Sequence, residues 1–172
     1  MHATDSAGSQ GDPAYALTRS PDEYERLSLQ AAFLKGTTER LFRAAGVETG
    51  MRVLDVGSGA GDVAFLAAEM VGAGGEVVGV DIDGDALAAA RERARSLGLH
   101  NGTFVEGDAR TAELGGDFDA AVGRLILAYW ADPGEARRPI ATHVRPGGIV
   151  VFQDLDLEAA RSRSLPDLTL WK

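Results

Sequence analysis

The stretch of sequence that decides the fold is Val53-Leu54-Asp55-Val56-Gly57-Ser58-Gly59-Ala60-Gly61-Asp62. Its first four residues form a short apolar run, which predicts a buried strand, and the glycines after them predict a tight turn. Glycine has no Cβ, so the backbone of such a turn can approach a ligand closely. An apolar stripe at helical spacing follows, and the first N–H groups of that helix can bind polar ligand atoms. The segment therefore predicts a strand–turn–helix unit that binds a ligand.

The same alternation of strands and helices continues around this unit. Short apolar runs predict four further strands, at 77–80, 103–105, 118–122 and 149–152. Amphipathic stripes between and before them predict helices, the first beginning at a capping box, Ser20-Pro21-Asp22-Glu23. Strands that alternate with helices predict an α/β fold, a doubly wound, Rossmann-like and mostly parallel sheet. In such sheets ligands bind beyond the carboxyl ends of the strands.

Composition excludes several classes of function. The chain has 172 residues, which suits one domain, and a net charge of −9, which disfavours nucleic acid as a partner. No apolar run approaches the roughly 18 residues of a membrane span. Cysteine is absent, so disulfides, thiolate nucleophiles and sulfur-ligated zinc are excluded. We expect a cytoplasmic protein that binds neither membrane nor metal.

The spacing of the glycines distinguishes between two kinds of ligand. A dinucleotide fingerprint reads G-x-G-x-x-G, but here the position of its third glycine is occupied by Asp62, and the glycines follow G-x-G-x-G. A carboxylate there would face a pyrophosphate at close range, which is unfavourable. The pattern therefore argues against NAD and favours a ligand without phosphates.

Two carboxylates follow the second and third predicted strands. Asp81 can accept both hydroxyls of an adenosine ribose, because each carboxylate oxygen accepts hydrogen bonds. Asp108 can accept the exocyclic amine of adenine, although an aspartate there is equally expected to satisfy its own turn. Ile82 could pack on the adenine face or in the core. Asp83 is expected to cap the next helix.

In this order the motifs resemble those of class I S-adenosylmethionine (SAM) dependent methyltransferases. The resemblance covers roughly residues 21–153, and 123–133 is similar to the small-molecule methyltransferases of the ubiquinone/menaquinone-biosynthesis type. It rests on five segments: Leu54-Asp55-Val56-Gly57-Ser58-Gly59-Ala60-Gly61, Val80-Asp81, Gly107-Asp108-Ala109, Phe118-Asp119-Ala120-Ala121-Val122 and Arg145-Pro146-Gly147-Gly148.

The resemblance implies a cofactor, SAM, and a role for each matching residue. The methionine part of SAM would be surrounded by Asp55, Gly57 and Gly59, and Ser58 would also bind the cofactor. The ribose would be held by Asp81, and adenine would meet Asp108 and Ala109, with Ile82 against its face. Arg124, just beyond the fourth strand, would lie at the methionine part or would be an ordinary surface arginine. The family also implies the strand order 3-2-1-4-5, with its strands six and seven missing here.

The domain organisation follows from these assignments. We expect a flexible tail at 1–12, an N-terminal helical segment at 13–50, the SAM-binding Rossmann-like domain at 51–153, and an irregular end at 154–172. The last segment offers no further strand, which favours a fragment that ends after the fifth strand. The exposed edge of that strand favours self-association. Pro139 is expected to kink the fourth helix.

Methyl transfer from a sulfonium requires alignment of an acceptor more than it requires a nucleophile or a metal. No catalytic residue is identified, and His2, His100 and His143 are expected to be non-catalytic. Tyr129 and Trp130 would either wall the acceptor pocket or pack in the core. Three hypotheses remain open: a small-molecule methyltransferase whose acceptor atom (O, N or C) is unspecified, a SAM-binding module or truncated fragment without catalysis, and an NAD-dependent oxidoreductase.

Overall fold

The computed structural model describes residues 21–130 and 132–155, and the chain divides into two compact units, 1–34 and 35–172. The expected capping residue Ser20, the tail at 1–12 and residues 156–172 lie outside the described residues. Among the described residues, no helix is both long and apolar enough to cross a membrane. The elements, in chain order, are α1 (Pro21–Ala45), β1 (Arg52–Val56), α2 (Asp62–Val71), β2 (Glu76–Asp81), α3 (Gly84–Leu97), β3 (Gly102–Glu106), β4 (Phe118–Arg124), α4 (Pro133–Thr142) and β5 (Val144–Gln153).

The described part of the second unit is built on a five-stranded parallel sheet in the order β3-β2-β1-β4-β5. This confirms the predicted α/β Rossmann-like fold and its strand order. All strands run the same way because each returns through a crossover, so all their carboxyl ends meet at one edge. β1 lies at the centre of the sheet, and four of its five residues are buried. The glycine turn that follows β1 therefore lies in the middle of that edge.

Alternation along the strands divides the core into two clusters. Val53 of β1 and Val77 of β2 pack with α2, whereas Leu54 and Val78 pack on the other face with Ile140 of α4. By the same alternation Asp55 shares the face of Val53. β1 and β2 thus present their odd-numbered residues on the face that α2 covers, whereas β4 presents its even-numbered residues Ala120 and Val122 there.

The helices confirm most of the predicted boundaries. α1 continues through Gly36 without a break and ends before Gly46, whose φ of 97° only glycine adopts at little cost. Asp83 caps α3 as predicted, because its carboxylate accepts the N–H groups of Asp85 and Ala86. The apolar stripe of α3 predicts burial of Leu87, Ala90, Ala94 and Leu97, and the structure buries the first three, whereas Leu97 is 62% exposed.

Three predictions around β4 and β5 need correction or refinement. The expected turn at Pro146-Gly147-Gly148 lies inside β5, where a register irregularity opposite Phe118–Ala120 accommodates the extra residues as a bulge. β5 therefore begins at Val144 instead of 149. Arg124 is the last residue of β4 and does not lie beyond it. Pro139 lies inside α4, which continues to Thr142.

Candidate functional site

The turn after β1 adopts a backbone that requires glycine. The φ angles of Gly57, Gly59 and Gly61 are 69°, 50° and 90°. The N–H groups of Gly57 and Ser58 both donate to the carbonyl of Val80, at 2.9 and 3.0 Å, which holds the turn against the end of β2. A Cβ on Gly57 would collide with the side chain of Ile126, whereas one on Gly59 would meet open space. Gly57 is thus needed for packing, and Gly59 leaves room beside the turn.

Asp81 ties the ends of β1 and β2 together. It is buried, and its carboxylate accepts the N–H of Gly59 at 2.8 Å and the N–H of Asp83 at 2.9 Å. The prediction that Asp81 lies beside the glycine turn is therefore confirmed. A carboxylate offers about four acceptor positions, so one carboxylate can accept from backbone N–H groups and from ligand hydroxyls together.

Asp55 is the least satisfied polar group of the site. It is 1% exposed, and neither carboxylate oxygen makes a hydrogen bond of acceptable geometry, although the N–H of Ala64 lies near enough to lower its pKa. Burial raises the pKa of Asp55 well above its usual value, against the opposing effect of Arg124, while Asp81 and Asp62 raise it further. The hydroxyl of the neighbouring Ser58 is also buried without a partner. Unpaired buried groups are costly, so this pair fits a ligand that supplies N–H donors and positive charge.

Arg124 brings the cation of the site to the same edge. It is half-buried, and its Nη1 donates to Oγ1 of Thr38 at 3.3 Å. Burial lowers the pKa of Arg124, and the nearby carboxylates of Asp62 and Asp55 counteract that shift. A guanidinium stays protonated in proteins, so the site contains a positive charge next to the buried carboxylate. Its half-buried position favours a role in the site over that of an ordinary surface arginine.

Two residues of this arrangement were missed by the sequence reasoning. Thr38 of α1 is fully buried and donates its hydroxyl to Oε1 of Gln153 at 2.5 Å. Gln153 is the last residue of β5, opposite Arg124 in the register. A signal existed for Gln153, because it is a polar residue at a strand end, like Asp55 and Asp81. For Thr38 the only signal was a polar residue within the apolar stripe of α1.

A second unpredicted contact fixes the far end of the glycine turn. Arg93 of α3 forms an ion pair with Asp62 at 2.7 Å and donates to the carbonyl of Ala60 at 2.6 Å. Its guanidinium also lies over the ring of Phe65, 4.9 Å from the centroid. The charge of Asp62 is thereby paired, which leaves Asp55 as the carboxylate that faces the site without a hydrogen bond.

The adenine-side residues are arranged less simply. Asp108 accepts the backbone N–H of Arg110 and two side-chain hydrogen bonds, from Nε at 2.9 Å and Nη2 at 2.6 Å. These hydrogen bonds lower the pKa of Asp108. Asp108 is therefore a turn aspartate that accepts a hydrogen bond from the backbone of its own turn, which is the second of the two predicted roles. The turn still adjoins the site, because the N–H of Gly107 donates to the carbonyl of Asp81 at 2.9 Å. Ile82 is 52% exposed and so does not belong to the core.

The remaining candidates have structural contacts. Nε2 of His143 lies 2.9 Å from the carbonyl of the buried Ala109, and the ring of Trp130 packs edge-on against Phe152 at 5.7 Å. Trp130 therefore packs against the core, which is one of its two predicted roles, whereas the side chain of Tyr129 is 45% exposed. His2 lies outside the described residues. Across residues 21–130 and 132–155, no group of three or more potential ligands is placed to hold a metal ion.

The turn that carries Tyr129 is held by the end of β5. A single 3-10 turn, Leu127–Tyr129, follows β4. The N–H of Leu127 donates to the carboxylate of Asp154 at 2.9 Å, and Leu125, with a φ of 58°, donates to the carbonyl of Gln153 at 2.8 Å. A non-glycine residue in this left-handed region is strained, and such strain is common at functional sites.

Comparison with known proteins identifies the family. A family model described as a methyltransferase domain matches residues 47–169. Aklanonic acid methyltransferase DauC of Streptomyces sp. is 32% identical over 88% of this chain and 68% of its own length. The ubiquinone/menaquinone biosynthesis C-methyltransferase UbiE of Pectobacterium carotovorum is 34% identical over 60% of this chain, which spans only 42% of that relative.

Structural similarity agrees with the sequence relatives. The crystal structure of a SAM-dependent methyltransferase from Aquifex aeolicus superposes with a TM-score of 0.64, over 75% of this chain and 69% of that one, at 24% identity. At this identity the match supports the fold alone. The family model and the relatives confirm the resemblance to methyltransferases read from the motifs, and with it SAM as the cofactor. The chain therefore belongs to the methyltransferase domain family, as a class I SAM-dependent methyltransferase.

Proposed function

We propose that the chain binds SAM at the carboxyl edge of the sheet and transfers the methyl group to a small-molecule acceptor. The observation that carries the proposal is Asp55, a buried carboxylate without a hydrogen bond, next to the half-buried cation of Arg124. The amino-acid end of SAM has the complementary pair, an ammonium and a carboxylate. When bound, SAM supplies a methyl group activated on sulfur, so the protein needs to bind, orient and exclude water.

The proposed contacts follow from the geometry of the edge. The ammonium of SAM would satisfy Asp55 and the hydroxyl of Ser58, and its carboxylate would face Arg124. The open space at Gly59 would admit the ligand beside the turn, with Gly57 behind it.

The adenosine part would extend towards β2 and β3. The ribose hydroxyls would share the carboxylate of Asp81 with the N–H groups that it already accepts. Adenine would lie between Ile82, whose side chain is exposed, and the turn at Asp108 and Ala109. Asp108 would accept the adenine amine only by giving up part of its pairing with Arg110, which is an exposed ion pair and so weak.

The small-molecule class of the acceptor is supported by the relatives. The names of aklanonic acid methyltransferase and of the ubiquinone/menaquinone biosynthesis C-methyltransferase both refer to small organic molecules. In this chain Tyr129, 45% exposed on the turn held by Asp154, would line the acceptor pocket. The acceptor atom is left open between O, N and C, and no general base is assigned.

Isothermal titration with SAM and with its demethylated product, S-adenosylhomocysteine, tests the cofactor site. We expect saturable binding of both, and no displacement of SAM by NAD. Absence of binding at millimolar concentration would end the proposal, and displacement by NAD would revive the oxidoreductase hypothesis. Transfer of labelled methyl groups to a panel of phenolic, amine and carbon acceptors then separates an enzyme from a SAM-binding module or fragment that does not catalyse.

Other features of the sequence extend this proposal. We propose that 51–153 is the SAM-binding domain, preceded by the helical segment 13–50 and the tail 1–12 and followed by the irregular segment 154–172. We also propose a cytoplasmic protein that does not bind nucleic acid; the lack of cysteine fits the first part and the net charge of −9 the second. β5 pairs with β4 on one side, and self-association through its other edge is testable by light scattering, where a monomer at all concentrations would contradict it.

A further inference from the structure

Three polar side chains from distant parts of the sequence form a chain of hydrogen bonds at the methionine end of the proposed site. Nη1 of Arg124 donates to Oγ1 of Thr38 at 3.3 Å, and Thr38 donates to Oε1 of Gln153 at 2.5 Å. Thr38 lies 86 positions from the first partner and 115 from the second. The three residues come from α1, β4 and β5, and Thr38 is 0% exposed.

The chemistry of the hydroxyl fixes the direction of these bonds. A threonine hydroxyl has one hydrogen to donate, and a guanidinium can only donate. Arg124 donates to the hydroxyl oxygen of Thr38, and Thr38 contacts Gln153 as a donor to its side-chain oxygen. Gln153 therefore orients the hydroxyl so that its oxygen faces the guanidinium. Valine has the same shape as threonine but would leave both neighbours without this partner.

The position of the guanidinium matters because competing charges surround it. The carboxylates of Asp55 and Asp62 both attract Arg124, and Asp62 already has an ion pair with Arg93. With Thr38 in place, one guanidinium nitrogen is fixed on the side of α1. Without it, the arginine would lose a buried partner and gain freedom to shift towards either carboxylate. A planar guanidinium binds a carboxylate well only in a defined orientation.

We propose that Thr38 is a positioning residue, oriented by Gln153, which holds the guanidinium of Arg124 for the carboxylate of the amino-acid end of SAM. The inference rests on the proposed function and adds two residues that do not themselves contact the reacting atoms. It predicts that damage to this hydrogen-bond chain weakens recognition of the amino-acid end and spares recognition of the nucleoside.

Two ligands separate these effects. S-adenosylhomocysteine contains the amino-acid end, whereas 5′-methylthioadenosine has the same nucleoside and sulfur but lacks it. For the Thr38→Val variant we expect the Kd for S-adenosylhomocysteine to rise about 5- to 10-fold, the scale of a lost buried hydrogen bond. The Kd for 5′-methylthioadenosine should stay within about 2-fold of the unmodified protein, since its contacts are elsewhere. Thr38→Ser keeps the hydroxyl and should restore the affinity for S-adenosylhomocysteine.

A neighbouring residue provides the matched control. Thr37 is exposed and its hydroxyl accepts a hydrogen bond from Arg40, so Thr37→Val makes the same chemical change outside the site. This variant should leave both Kd values unchanged. Gln153→Met removes the side-chain oxygen that Thr38 contacts, at a partly exposed position. If Thr38→Val does not fold, this variant still tests whether the hydrogen-bond chain positions Arg124. It should show the same selective loss.

The outcomes are distinguishable. Equal weakening of both ligands by Thr38→Val and by Gln153→Met would mean a purely structural role and would overturn the inference. Unchanged affinity for S-adenosylhomocysteine in a folded Thr38→Val or Gln153→Met variant would also overturn it. If the unmodified protein binds neither ligand, the proposed function fails instead.

Discussion

The substitution Asp55→Asn separates the binding role of Asp55 from its effect on stability. Asp55 is 1% exposed at the end of the central strand, and neither of its oxygens makes a hydrogen bond. Asparagine has nearly the same shape but carries no charge. We therefore expect this single change to stabilise the ligand-free protein while it weakens the binding of SAM.

The magnitude follows from the cost of burying an unpaired group. A buried polar group without a partner costs about 1–3 kcal/mol, and more when it is charged. The asparagine amide still has to be buried, so the substitution removes only the part of the burial cost that is due to the charge. We expect the free energy of unfolding to rise by about 1 kcal/mol above neutral pH, which corresponds to about 2–4 °C in Tm for a chain of this size.

The dependence on pH has a definite sign. Burial raises the pKa of Asp55 above its ordinary value of 3.8, with Arg124 opposing and Asp81 and Asp62 adding to the shift. Below the ordinary value the carboxyl is protonated in the folded and unfolded chain alike, and its penalty is absent. Stability is then lost as the pH rises towards the raised pKa, because the unfolded chain releases the proton first. The Asp55→Asn variant has no carboxyl to titrate at this position and does not lose this stability. The difference in free energy of unfolding between the variant and the unmodified protein should therefore grow from pH 3.8 to the raised pKa of Asp55 and stay constant above it.

Urea unfolding at several pH values measures the stability, and isothermal titration measures the binding. Loss of a charge-assisted hydrogen bond of about 1.5–3 kcal/mol predicts a Kd for S-adenosylhomocysteine that is about 10- to 100-fold higher. An Asp55→Asn variant that is less stable than the unmodified protein above neutral pH, and that binds the ligand equally well, would refute the reasoning.

Three further predictions concern the other groups of the site. Asp81→Ala removes the acceptor proposed for the ribose, so the affinity for adenosine itself should fall at least about 10-fold, and an unchanged Kd in calorimetry would contradict this. Gly57→Ala should lower the free energy of unfolding by about 1–3 kcal/mol, because it combines a positive φ with a collision against Ile126. Gly59→Ala has the positive φ but open space, so it should cost about 1 kcal/mol in urea unfolding while weakening cofactor binding more than Gly57→Ala does.

Local sequence pattern was sufficient for the elements and for half of the site. Apolar runs and stripes placed the five strands and their helices, and the parallel arrangement follows from their alternation. Because parallel strands end at one edge, residues next to strand ends meet there without any knowledge of packing. Asp55, the glycine turn and Asp81 were predictable for this reason, and Asp81 does bond to Gly59. The bulge in β5 was not predictable, since glycine and proline indicate a turn as readily as they indicate a bulge.

Only the tertiary structure decided which charges are paired. Nothing local predicts that Arg93 of α3 takes the carboxylate of Asp62, or that Asp55 has no well-formed hydrogen bond, whereas Arg110 pairs with Asp108 only two positions away. The sequence specified which polar groups lie at the strand ends, because the period of a strand and the direction of a parallel sheet are local properties. It could not specify their partners, since a hydrogen bond depends on distances between side chains that only the packed core sets, as for Thr38 and Gln153, 115 positions apart.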